Sequence, residues 1–116
     1  MACTNGKCEL AGRVRYYREA GVEALREGNV AQAEKLLRQA IDLAERDQAV
    51  DISVAQSVYR LGQVLHHAGR HDEAAGEFEK ALSLVRARAG SESKLYRKIL
   101  GHYAQALPER SRAVMQ

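Results

Sequence analysis

The chain has 116 residues, about one domain, with a single proline (Pro108), no tryptophan and few β-branched residues. That composition excludes a β-sandwich or barrel, which needs strands rich in Val, Ile, Thr and aromatics. No apolar run reaches the roughly 18 residues of a membrane-spanning helix. The net charge of +3 is uneven: residues 1–85 carry 11 Lys/Arg against 13 Asp/Glu, and residues 86–116 carry 7 against 2.

The opening stretch, Met1-Ala2-Cys3-Thr4-Asn5-Gly6-Lys7-Cys8, lacks the apolar segment of a secretory signal, so the cytoplasm is the expected compartment. Residues 1–10 read as a flexible head carrying two thiols. The C-x4-C spacing of Cys3 and Cys8 matches neither a zinc nor a haem motif, and two cysteines do not close a four-ligand site. From Ala11 to Glu27, Val14, Tyr17, Ala20, Gly21, Ala24 and Leu25 recur at helical spacing. Gly28-Asn29 stops that helix and starts the next, with Asn29 accepting from the new first turn. The second pattern is Ala33, Leu36, Leu37, Ala40, Ile41 and Ala44. A third begins near Asp51 with Val54, Ala55, Val58, Leu61, Gly62 and Leu65, and ends at Gly69. The fourth has Ala74, Phe78, Ala81, Leu82 and Val85, and Gly90-Ser91 ends it. Ser91 or Ser93 caps a fifth, with Leu95, Ile99, Leu100, Tyr103, Ala104 and Leu107. Pro108 suits the first turn of a short final helix, where a missing N–H costs nothing.

These patterns repeat. Gly28 to Ala33 aligns with Gly69 to Ala74, which puts Leu37 on Phe78, Ala40 on Ala81 and Ile41 on Leu82. Upstream, Ala20-Gly21 falls on Leu61-Gly62 and then on Leu100-Gly101. Self-similarity at this period in helical pairs signals a solenoid. The small residues let paired backbones approach, and bulky Leu, Phe and Tyr fill the spaces between pairs.

This arrangement resembles the tetratricopeptide repeat family over roughly residues 13–107. The family's marks are an apolar–Gly pair along helix A, a Gly before helix B, then Ala, an aromatic or Leu four later, and Ala–Leu. The first repeat has Ala20-Gly21, Gly28, Ala33, Leu37 and Ala40-Ile41; the second has Leu61-Gly62, Gly69, Ala74, Phe78 and Ala81-Leu82. Glu45 and Arg86 stand where the family has a helix-ending Pro, so helix B is expected to run on. The period then resembles the longer, kinesin-light-chain-like variety. Tyr17, Val58 and Arg97 replace the usual Trp, and Arg97 marks the third unit as a cap. The resemblance implies an all-α, right-handed α-solenoid of antiparallel helix pairs, about two and a half repeats long. Residues 11–50 form the first repeat, 51–90 the second, and 91–116 a partial third repeat or capping helix with a short tail.

Such arrays imply a non-catalytic module that binds a peptide or helix in the groove lined by each helix A. Projecting the family's groove positions gives Arg15, Arg18, Val22 and Arg26 in the first repeat, Gln56, Tyr59, Gln63 and His66 in the second, and Lys98 and His102 in the third. Leu25, His67, Leu95 and Gln105 accompany them. Val22 and Gln63 stand where the carboxylate-clamp version has Asn, so an acidic or amphipathic segment in a basic, partly apolar groove is expected instead. No cofactor or metal is expected. His66, His67, His71 and His102 are the chain's four histidines, Gly69 breaks the helix between His67 and His71, and no carboxylate stands among the projected positions as a third ligand. Nor do the serines lie in a nucleophile turn. A protein or peptide is the expected partner. The alternative is a homodimer through Tyr96, Ile99, Leu100 and Tyr103 on the last helix. Nucleic-acid binding through the basic C-terminal third is the weakest reading, because no aromatic residues interleave with its charges.

Overall fold

A computed structural model describes residues 7–46 and 51–107 of the protein. Among these residues it is five α-helices with no strand: α1 (Lys7–Arg26), α2 (Val30–Arg46), α3 (Asp51–His67), α4 (His71–Ala89) and α5 (Lys94–Ala106). Cys3 and the short helix expected after Pro108 lie outside the described residues. α1 begins at Lys7, inside the stretch read as a flexible head. The apolar stripe of Val14 and Tyr17 extends one turn upstream to Leu10, which packs against the core.

The two tight turns are built alike. Gly28 and Gly69 take φ of 82° and 81°, a left-handed conformation open to glycine without a Cβ penalty. At each, two crossed hydrogen bonds close the helix end: Gly28 N–H to Leu25 O and Asn29 N–H to Ala24 O, then Gly69 N–H to His66 O and Arg70 N–H to Leu65 O. Asn29 Oδ1 accepts from Gln32 N–H at 3.2 Å, so Asn29 starts α2 as its position implied. Of the two serines before α5, Ser93 is the cap, its Oγ accepting from Tyr96 N–H at 3.1 Å. With no proline to stop them, α2 runs through Glu45 to Arg46 and α4 through Arg86 to Ala89.

Consecutive helices pack as pairs. α1 lies on α2, α3 on α4, α2 on α3 and α4 on α5. α1 also touches α3, and α3 touches α5, so the odd-numbered helices form one layer and α2 and α4 stand behind them. The core runs continuously between the layers, with Val14, Leu37, Val58, Leu61, Phe78 and Ile99 all sealed from solvent. Burying a side chain such as Phe78 contributes roughly 1.5–3 kcal/mol.

The mid-helix glycines set the spacing within each pair. A Cβ on Gly62 would lie 2.6 Å from Phe78 Cε1, and one on Gly21 would lie 2.7 Å from Leu37 Cγ. Gly21 of α1 and Gly62 of α3 are thus sockets filled by the bulky residue at the matching place in α2 or α4. Gly101, the third in the series, has nothing within 4 Å among the described residues. On the outer surface, Arg70 in the α3–α4 turn binds Glu34 of α2 at 2.7 Å and Glu73 of α4 at 2.6 Å. These hydrogen bonds hold both carboxylates below their usual range and push the guanidinium up. No helix among the described residues is long and apolar enough to cross a membrane.

Candidate binding groove

A cavity of about 530 Å³ opens between α1, α3 and α5. α1 supplies Arg18, Val22 and Arg26, α3 supplies Gln56 and Tyr59, and α5 supplies Leu95 and Lys98. The projected positions therefore converge from three helices that are distant in sequence. Three further lining residues, Glu19, Glu23 and Arg60, stood outside the projection. Each neighbours a projected position on its helix, and a cavity wider than one row of side chains exposes both. For Glu19 and Glu23 the available signal was the charge run on the same face of α1. The groove is thus not purely basic, since two carboxylates sit beside four cations.

Gln63 lines a smaller adjoining hollow of about 200 Å³, with Val22, Leu25 and Arg26. His102 stands behind Tyr59 and ties α5 to α3. Its Nδ1 lies 3.1 Å from Tyr59 Oη and 3.0 Å from the Lys98 carbonyl oxygen, and its Nε2 lies 3.3 Å from Gln63 Nε2. Arg60 Nη1 donates to Gln63 Oε1 at 2.9 Å, which fixes the amide with its NH2 toward His102. One tautomer satisfies the set: Nδ1–H facing Lys98 O and Tyr59 Oη, and Nε2 accepting from Gln63. Tyr59 is buried, and burial pushes its hydroxyl above the ordinary tyrosine pKa, against the opposing effect of Arg60.

Four projected residues lie elsewhere, among them His67 and Gln105, which are exposed and line neither cavity. Arg15 is exposed and lines neither cavity. His66 turns toward the α3–α4 turn, where its Nδ1 meets Nδ1 of His71 at 2.9 Å. Gly69 breaks the helix but folds the chain back, so the contact runs from His66 to His71 across the turn. Burial lowers the His66 pKa, and His71, His67 and His102 lower it further. No group of three or more His, Cys, Asp or Glu residues placed to hold a metal occurs among the described residues.

The charges of the groove divide into two kinds. Arg26 pairs with Glu23 at 3.3 Å on the rim. Arg18, Arg60 and Lys98 have no carboxylate ion pair among the described residues. Arg60 and Lys98 instead lie over the Tyr59 ring, at 5.3 and 5.9 Å from its centroid. The Arg18 pKa is depressed first by burial and then by the positive charges of Arg15 and Arg60, against the attraction of Glu19.

The four residues read as a self-association patch do not form one surface. Tyr96 and Ile99 are buried against the core, with Tyr96 Oη accepting from Arg86 at 2.8 Å. Tyr103 is partly buried and donates to Glu79 of α4 at 2.9 Å, and Leu100 is partly buried. This side of α5 is where it is joined to α4.

Residues 55–87, nearly all of α3 and α4, match the family model described as Tetratricopeptide repeat. The architecture is an all-α helical-repeat solenoid similar to those of tetratricopeptide repeats. No curated protein and no solved structure matches the chain.

Proposed function

We propose that the protein is a non-catalytic, cytoplasmic adaptor of the longer tetratricopeptide type, holding an acidic or amphipathic peptide segment of a partner protein in the α1–α3–α5 groove. The observation that carries this reading is the convergence of Arg18, Tyr59 and Lys98, from three helices, on one cavity of about 530 Å³. Val22 and Leu95 offer an apolar strip for a partner's aliphatic side chain, and the cations beside them favour acidic flanks. The match to an interaction-repeat family supports the class. The test is affinity capture of partners on the wild-type chain and on an Arg18→Glu/Lys98→Glu variant of unchanged thermal midpoint. A protein caught by the first and lost by the second supports the groove. A partner caught equally by both would move recognition to another surface and sink the reading.

A further inference from the structure

We propose that the groove's anion site, formed by Arg18, Arg60 and Lys98, takes the phosphoryl group of a phosphorylated side chain in the bound peptide. This inference rests on the groove reading above and names the chemistry of its ligand.

Several cations on other surfaces meet carboxylates: Arg38 with Glu34, Arg46 with Asp42, Arg70 with Glu34 and Glu73, and Lys80 with Glu45. Even on the groove rim Arg26 has Glu23. Arg18, Arg60 and Lys98 have no such pair among the described residues; exposed cations such as Arg15 and Lys35 share that property, but these three border one cavity. Their surroundings hold them there without a counter-ion. Arg60 is fixed by Gln63, Gln63 contacts His102, and Lys98 rests at the Tyr59 ring. Three donors from α1, α3 and α5 therefore border one volume before any ligand arrives.

The charge count selects the anion. The lining holds Arg18, Arg26, Arg60 and Lys98 against Glu19 and Glu23, a surplus of two positive charges. A single carboxylate would leave one of them uncompensated. A phosphoryl group carries about −1.5 to −2 at neutral pH on three strong acceptor oxygens, which matches both the surplus and the number of donors. Guanidinium groups suit phosphate because they offer paired N–H donors in a plane. Two adjacent glutamates carry the same charge but spread it over two side chains, so a comparison of the two ligands isolates the geometry.

The experiment is an amide-resolved NMR titration of the full chain, supported by fluorescence anisotropy, at about 0.15 M salt, close to physiological ionic strength. The probes are capped alanine–leucine heptapeptides with a central phosphoserine, serine or glutamate pair, and inorganic phosphate alone. The expected result is that phosphoserine binds at least about tenfold more tightly than serine, as one or two charge-assisted hydrogen bonds would give, with shifts centred on Arg18, Arg60 and Lys98. Arg60→Gln and Lys98→Gln should each remove most of that advantage, while Arg38→Gln on α2 should not. Equal binding of the phosphoserine and serine peptides, or of the glutamate-pair peptide, would overturn the proposal and leave the groove reading intact. Inorganic phosphate binding as tightly as the phosphopeptide would overturn the peptide as the source. If no probe perturbs a groove amide, both readings fall.

Discussion

The α3–α4 pair and α5 start from the same sequence register and end in different environments. In α3, Val58, Leu61, Gly62 and Leu65 are all sealed against α4. The matching positions of α5 are Arg97, Leu100, Gly101 and Ala104, of which Arg97 and Gly101 are exposed and the other two only partly buried. The difference is not in helix formation, since both helices form. It lies in whether a second helix supplies the knob for the glycine socket. A repeat of this kind is therefore stabilised by what lies across from it, as expected where each unit contacts only its neighbours.

The largest expected effect is at the filled socket. Phe78→Ala removes a ring that is 1% exposed and should cost about 3–5 kcal/mol, read by urea unfolding. Leu100→Ala should cost clearly less, and equal losses would erase the contrast. Next, Gly62→Ala drives a methyl group to 2.6–3.0 Å from the Phe78 ring and should destabilise by about 1–3 kcal/mol. Ser57, buried in α3, has no hydrogen-bond partner for its Oγ among the described residues. Ser57→Ala should raise stability by up to about 1 kcal/mol, and a clear loss would show that the hydroxyl is satisfied. Gly101→Ala sharpens the comparison most, because its sign should reverse that of Gly62→Ala. With nothing among the described residues near the added methyl, helix propensity alone should stabilise by about 0.5–1 kcal/mol. Destabilisation there would mean that the face is covered. The smallest effect concerns pH. The His66 pKa is depressed on folding, so its contribution is complete above about 6.5 and declines as pH falls through that value. Thermal midpoints measured between pH 7.5 and 5.5 should fall less in His66→Gln than in wild type, and parallel slopes would refute the link.

Much of this fold was legible because its punctuation is local. Gly28-Asn29, Gly69, Gly90 and Ser93 mark helix ends by conformation and capping, which depend on a few neighbouring residues. The glycine register from Gly21 to Gly62 placed the pairs, and seven of the projected groove residues line one cavity for the same reason. What escaped depends on approach across space. Glu19, Glu23 and Arg60 enter the site because the cavity is broader than a helix stripe. The His66–His71 contact needs the reversal at Gly69, not a helical interval. Tyr96 and Ile99 seemed available because apolar side chains on a terminal helix look alike whether they face a neighbour or solvent. The start of α1 at Lys7 was missed because Leu10 alone marks the additional turn.

The position of α5 has a dynamic consequence. One wall of the groove is carried by a helix of 13 residues held mainly by α4, with His102, Arg86–Tyr96 and Tyr103–Glu79 as its polar attachments. Local opening of α5 breaks its contacts with α4 and its few with α3, whereas α3 and α4 are each packed between two neighbouring helices, so the α5 amides should exchange with solvent ahead of theirs. Each opening also takes Lys98 and Leu95 away from the cavity. A ligand that touches all three walls must therefore suppress that fraying, and part of its binding energy is spent on slowing exchange in α5, well beyond the residues it contacts.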